Sequence, residues 1–453
     1  MNINIPKNVK FIIDTYYNNN YEAFMVGGCV RDSLLGLKPK DFDITTSALP
    51  EITEDLFTKT IPTGIKHGTV TVVIDKENFE VTTYRTEENY IDNRRPEKVE
   101  FVKDLKEDLS RRDFTINAFA CDLSSGDIID EHNGLSDLKN KTIRAIGNPE
   151  ERFTEDALRI MRAARFSSKL GFEIEEETKK AMTRLSSNIS KVSEERIREE
   201  LFRLIDSPFP RLGIETMYDT GLLKIILPEL YECKNIEGTG YHKENLLEHH
   251  ILALEYAEKL KAPLTVKIAA LLHDIGKVRT ERKEEDRTTY YSHEICGSEM
   301  ASSIMKRLKS SNKEREEVEL LIREHMVQYS SAWSDGAIRR LIVRVGKENL
   351  DNLFMLRECD RKATLSLPQD YNDEELKARV EREISSSPAL TLKDLKINGK
   401  DLSSYINNGP MTGRVLKSLL EMVIDDPTLN QKQILLERAR ELMERFKKED
   451  VSL

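Results

Sequence analysis

"MVGGCVRDSLLGLKPKDFDITT", residues 25–46, carries a Gly-Gly pair at 27 and 28, an arginine at 31, and aspartates at 41 and 43. On a strand, residues two apart point to the same face. Asp41 and Asp43 would then present two carboxylates side by side, which repel unless a hard divalent cation lies between them. Mg²⁺ takes oxygen ligands and bridges to phosphate. A pair of such ions stabilises both the attacking and the leaving oxygen of a phosphoryl transfer. A third carboxylate is usually needed, and Glu80 in "FEVTTYR" (79–85) is the candidate. Gly27 and Gly28 have no side chains, so backbone N–H groups there can approach a triphosphate, with the positive end of a following helix behind them. Arg31, one helical turn on, is a phosphate partner. A lone D-x-D or G-G is common in surface turns. The two in this order and spacing point to chemistry on a nucleotide.

A chain of 453 residues is too long for one core, which implies two to four domains. With 39 % hydrophobic and 33 % charged residues it is globular and charge-rich. Its net charge of −10 gives no hint of a nucleic-acid partner, so any such surface would be local. Five cysteines stand singly with no C-x-x-C pair, which argues against a disulfide frame or a cysteine zinc site. The first residues lack a signal-peptide pattern and no apolar run is long enough for a bilayer, so a cytoplasmic, non-membrane protein is expected.

Residues 1–145 mix β-rich and helical patterns. "GTVTVVID" (68–75) and "NFEVTTYR" (78–85) alternate β-branched residues around the turn-like "DKEN" and read as consecutive strands. "FTINAFACDL" (114–123) reads as a strand or a strand–helix junction, and "DIIDEHNG" (127–134) as a strand entering a turn. From Asn148 the pattern is helical: an N-cap, Pro149 in the first turn, then Glu150 and Glu151 at the positive end. Polar breaks divide the rest, so the expected segments are 1–145, 146–240, 241–365 and 366–453.

These motifs carry a resemblance. "VGGCVRDSLLG", "KDFDITT", "FEVTTYRTEENYIDNRRPEKVEFV", "DLSRRDFTINAFACD" and "RFTEDALRIMRAARF" resemble, in this order, the motifs of bacterial class II tRNA nucleotidyltransferases, the CCA-adding enzymes and related poly(A) polymerases. "LKDLKINGKDL" and "NQKQILLERARELM" are similar to that family's tail. The resemblance implies an α+β fold class: a polymerase-beta-like head, then an all-helical neck, an HD body and a tRNA-binding tail. It makes Asp41 and Asp43 the Mg²⁺-binding catalytic carboxylates. Gly28 and Arg31 would hold the triphosphate, Arg112 would add a phosphate contact, and Asp113 and Asn117 would lie near the ribose. "YRTEENYIDNRRPEKV" (84–99) looks like a flexible loop found in members that add all of CCA.

"TEDALRIMRAAR" (154–165) spaces Asp156, Arg159, Arg162 and Arg165 by three, which would put neighbours on one helix face. By itself this is also the pattern of a surface salt-bridge ladder. Within the resemblance, it can choose bases. An ionised Asp only accepts and an Arg only donates. Cytosine and adenine each show an amine beside a ring-nitrogen acceptor, whereas uracil and guanine place a carbonyl where the amine would be. Asp156 with Arg159 would accept C and A and reject U and G. Arg162 and Arg165 would serve base, phosphate or helix-face contacts.

Of eight histidines, five fall between 247 and 326. "LEHHILALE", "LLHDIGK", "YYSHEICGSEMA", "LIREHM" and "RECDRKAT" place ionisable groups in apolar helical runs, where they are costly unless paired or metal-bound. Imidazole and carboxylate together suit a divalent transition metal. The order resembles the HD superfamily of metal-dependent phosphohydrolases, which implies His249, His273, Asp274 and Asp360 as ligands. His293 and His325 would be available for a second metal or a phosphate. The expected function is addition of C, C and A to a tRNA 3′ end from CTP and ATP. The rivals are an enzyme adding only A, only CC or a poly(A) tail, an HD phosphohydrolase with a nucleotide-binding head, and a non-catalytic RNA-binding module.

Overall fold

The computed structural model describes residues 5–91, 95–237, 244–283, 288–364, 373–386, 389–403 and 409–451. They fall into two compact units, Met1–Lys234 with Ile304–Ser310, and Asn235–Ser303 with Ser311–Leu453.

The first unit holds a seven-stranded sheet. Its strands are β1 (Ala23–Val26), β2 (Asp43–Thr46), β3 (Thr60–Gly64), β4 (Thr69–Ile74) and β5 (Glu77–Thr83), with β8 (Phe119–Cys121) and β9 (Ile128–Asp130) further along the chain. The order is β3-β4-β5-β2-β1-β8-β9. The two strands expected at 68–75 and 78–85 are β4 and β5, paired antiparallel from Thr69↔Thr82 to Ile74↔Glu77. Asp75 and Lys76 close the hairpin with φ of 50° and 69°, the left-handed pair that matches strand twist. Alternation has its usual cause: Val70, Val72, Phe79 and Val81 are buried, whereas Glu80 is exposed. β1 is buried along its whole length because β2 and β8 flank it on both sides. "FTINAFACDL" is a junction, with a 3₁₀ turn at Thr115–Asn117 leading into β8.

Segment 84–99 corrects an expectation. It is not a loop but an antiparallel ribbon of β6 (Arg85–Ile91) and β7 (Arg95–Phe101), paired from Arg85↔Phe101 to Ile91↔Arg95. Cross-strand pairing satisfies its backbone although the sequence there has no apolar period; Asp92, Asn93 and Arg94 lie outside the described residues.

The helical part opens as expected: Asn148 Oδ1 accepts the Glu150 amide at 3.0 Å and Pro149 occupies the first turn. That helix, Pro149–Glu155, then stops. Asp156 is extended (φ −138°, ψ 103°), and a second helix runs Leu158–Leu170. Asp156 therefore shares no helix with Arg159, Arg162 and Arg165, which corrects the one-face reading. Helix Glu194–Ile205 packs beside Leu158–Leu170.

In the second unit, helices Leu246–Lys259, Leu264–Leu272, Asn312–Glu324 and Leu350–Ala363 pack together. Helices Gly409–Asp425 and Lys432–Val451 bury Leu419, Val423, Leu435 and Ala439 in a separate cluster. Among the described residues no helix is long and apolar enough to cross a membrane.

Candidate active site and metal centre

Asp43 opens β2 opposite Val26 of β1, while Asp41 lies before the strand. The expectation of both aspartates on one strand is corrected in that respect. β2 and β5 run parallel with Ile44 beside Val81. Ile44 and Val81 are buried, so the residues one step earlier, Asp43 and Glu80, face the other way and are exposed. Surrounding protein still withdraws water from Asp43 and pushes its carboxyl above the usual range; Arg112 opposes this, and the charges of Glu80 and Asp41 add to it. Such crowding fits a cation. Among the described residues these three carboxylates do not converge within 4.8 Å of one another.

Gly27 has φ of 75°, and a Cβ there would lie 2.9 Å from Arg112 Nη1. Glycine lets that guanidinium lie against the backbone. The Gly27 N–H donates to the Phe119 carbonyl at 3.1 Å, so this residue offers room rather than the phosphate donor expected of it. Gly28 begins the helix Gly28–Leu34, which carries Arg31 inward until it is 2 % exposed.

A buried circuit starts there. Arg31 donates to Asp32 Oδ1 (2.8 Å from Nε, 2.6 Å from Nη2) and to Asn117 Oδ1. Asn117 Nδ2 donates to Asp113 Oδ1 at 3.0 Å. Asp113 Oδ2 accepts Arg162 Nε at 2.8 Å and Nη2 at 2.6 Å. Burial raises the Asp113 carboxyl, but Arg162 and Asn117 outweigh it and hold it down at about 2. Arg112 reaches Asp108 at 3.3 Å, and its Nε is buried without a partner among the described residues.

Further along, Arg159 donates to Glu155 at 2.6 Å and to the carbonyls of Arg152 (3.2 Å) and Arg111 (3.0 Å). Arg165 pairs with Glu200. Asp156 accepts the Leu158 amide through Oδ1 at 3.0 Å and Arg196 Nη2 through Oδ2 at 2.9 Å. Gly27, Gly28, Arg31, Asp43, Arg112, Asp113, Asn117, Asp156, Arg159, Arg162 and Arg165 line one cleft of about 620 Å³. Asp41 and Glu80 are not among its lining residues.

In the second unit, His273 and His325 each follow the last residue of a helix. Their Nδ1 atoms lie 3.0 Å from the Ala270 carbonyl and 2.6 Å from that of Ile322, and His293 Nδ1 lies 2.8 Å from Tyr290 O. Carbonyls in the last turn of a helix lack intrahelical partners, so those of Ala270 and Ile322 can take the ring N–H. A ring that donates from Nδ1 in this way turns Nε2 inward, where its lone pair serves a metal once the Nε2 proton is displaced. His273 Nε2 is 3.0 Å from His249 Nε2 and 3.5 Å from both Asp274 and Asp360; His293 Nε2 is 3.1 Å from Asp274. Three overlapping groups, His249–His273–Asp274, His273–His325–Asp360 and Asp274–His293–His325, could each hold a metal ion. Burial disfavours a charged His273, yet Asp274 and Asp360 push it up to about 10, so the cluster demands positive charge. Lone pairs and carboxylates around a buried point fit a divalent metal. Gly276 makes the assembly possible, since a Cβ there would sit 2.1 Å from the His293 carbonyl and 2.6 Å from the Gly297 amide.

Residues 23–144 match the poly A polymerase head domain, 171–233 the probable RNA and SrmB-binding site of polymerase A, and 244–365 the HD domain. The CCA-adding enzyme of Ligilactobacillus salivarius is 36 % identical over 97 % of this chain and 98 % of its own length. The chain belongs to the CCA-adding enzymes. That of Enterococcus faecalis is 34 % identical over 93 % of this chain and 92 % of the relative. The crystal structure of the Bacillus stearothermophilus CCA-adding enzyme in complex with CTP is 29 % identical, with a TM-score of 0.72 over 99 % of this chain and 100 % of that one.

As a CCA-adding enzyme the protein is a nucleotidyltransferase, and its fold class is the expected one, a polymerase-type head followed by helical and HD parts. Arg196, Arg203, Lys169 and Phe166 also line the cleft, although no motif marked them as site residues. Arg196 sits in "SEERIREE", where charges on a helix look like an ordinary solvated face, so no local signal marks it.

Proposed function

We propose that this chain adds C, C and A in turn to the tRNA 3′ end from CTP and ATP, choosing the base with side chains. The carrying observation is the single cleft in which Asp43, the phosphate-side Arg31 and Arg112, and the base-side Asp156 and Arg159 meet. The tRNA 3′-hydroxyl attacks the α-phosphate and pyrophosphate leaves. Asp41, Asp43 and Glu80 would hold Mg²⁺, which when bound lowers the cost of charge developing on the reacting oxygens. Arg31, Arg112 and the Arg162–Asp113 pair orient the triphosphate and ribose, with Asn117 joining them. A carboxylate oxygen accepts two hydrogen bonds, so Asp156 keeps a lone pair for a base amine on each oxygen that Leu158 and Arg196 already use. Arg159, fixed by Glu155 and two carbonyls, supplies the donor.

The six-residue cluster favours a second activity, in which His249, His273, Asp274 and Asp360 hold a divalent metal for phosphoester hydrolysis, with His293 and His325 beside them. A head at 1–145, a neck at 146–240, an HD part at 241–365 and a tRNA-binding tail at 366–453, acting in the cytoplasm, complete the reading. Offering tRNA that lacks its end with each labelled nucleotide separately tests it. CTP alone should add two residues, and ATP should add one only after them. Incorporation of A alone, of CC alone or of a long A tail would replace this function with the corresponding partial one.

A further inference from the structure

Phe166 is 5 % exposed and lines the nucleotide cleft. Three guanidinium carbons approach its ring: Arg31 at 5.2 Å, Arg162 at 5.5 Å and Arg165 at 4.1 Å from the centroid. Each arginine has its own carboxylate, in Asp32, Asp113 and Glu200 respectively. Charge pairing alone therefore does not require them to share one ring. Phe114 packs edge-on at 5.7 Å and fixes the ring plane. Arg31 and Arg162 are also the two ends of the Asn117–Asp113 circuit. The ring lies against both ends of that circuit.

We propose that Phe166 is a positioning residue that sets Arg31 and Arg162 in register through its π face, so that the phosphate side and the base side of the cleft are ordered together. This rests on the reading of the cleft as the CTP and ATP site. A ring quadrupole attracts cations at these distances, and the attraction grows where water is excluded. An aliphatic residue would fill the volume but leave Arg162 held only by Asp113 and Arg31 only by Asp32 and Asn117, with nothing common to both guanidinium groups.

Fluorination drains charge from the ring face while barely changing its size. Phe166 is replaced in turn by mono-, di- and trifluorophenylalanine, and KM for CTP and ATP is measured beside the thermal midpoint. KM should rise by about two- to fivefold per fluorine in protein whose midpoint stays well above the assay temperature. Phe166→Leu should raise it by about tenfold or more. A flat series refutes the proposal, because a purely space-filling ring would not sense fluorine. Arg162→Ala separates the two levels of the argument. If it raises KM while the series stays flat, only the role of Phe166 fails; if it leaves KM for both nucleotides unchanged, the reading of the cleft fails as well.

Discussion

Asp156, extended between two helices, is held at 2.9 Å by Arg196, forty residues away on the helix Glu194–Ile205, and its second oxygen accepts the Leu158 amide at 3.0 Å. One carboxylate thus serves the fold and the cleft together, and its two roles can be separated. Asp156→Ala should cost about 1 kcal/mol of stability through the lost capping contact, while Asp156→Asn keeps that contact and costs less. Both should raise misincorporation of UTP and GTP relative to CTP and ATP. Denaturant unfolding and single-nucleotide incorporation read the two effects. Equal loss for all four nucleotides would leave Asp156 with a structural role only.

Asp43 trades stability for chemistry. Its raised carboxyl means that the folded chain binds this proton more readily than the unfolded one. Stability is therefore lost as pH climbs from the ordinary value of 3.8 through the raised one, and the deficit persists at neutral pH. Asp43→Asn should raise the thermal midpoint at pH 7, give no gain below about pH 3.8, and abolish nucleotide addition. Binding of tRNA should barely change, since phosphate contacts from Lys and Arg dominate it. Substantial residual addition would remove Asp43 from the catalytic set.

Asp113 has the opposite sign. Its carboxyl falls from 3.8 to about 2, so it contributes stability above the ordinary value that disappears as pH falls toward about 2. The shift corresponds to about 2 kcal/mol. Asp113→Asn should cost at least that at pH 7, because Arg162 is left beside Phe166 without its carboxylate. Urea unfolding of both proteins between pH 7 and pH 2 should show the gap closing over the lowest two units.

The histidine cluster should be separable from nucleotide addition. His273→Ala and Asp274→Ala are expected to lose bound divalent metal and any phosphoester hydrolysis, yet retain CTP and ATP incorporation. A chelator should lower the wild-type thermal midpoint and leave those of the variants unmoved. Gly276→Ala should imitate them by pushing the His293 carbonyl and Gly297 amide away. A variant that keeps its fold, loses metal and also loses nucleotide addition would overturn the separation.

What the sequence determined by itself was local or motif-borne. The β4–β5 hairpin follows from alternating β-branched residues around a turn, and the helix start at Asn148 from a cap and a proline. The ordered motifs carried the family, and with it Arg112, Asp113 and Asn117, but they left Phe166, Lys169, Arg196 and Arg203 unmarked. Tertiary structure alone decided the partners. The helix breaks at Asp156 although three-residue spacing continues through it, because an extended Asp just ahead of the next helix can accept the Leu158 amide, a backbone bond that a mid-helix Asp cannot make. Arg196 meets Asp156, and Arg31 reaches the ring of Phe166, across separations on which helical periodicity says nothing. Six side chains that could hold a metal converge, with His273 and His325 placed by helix ends and Gly276 letting two backbones touch. Composition and spacing register which groups a chain owns; packing decides which of them share a low-dielectric space, where pairing is strong enough to govern chemistry.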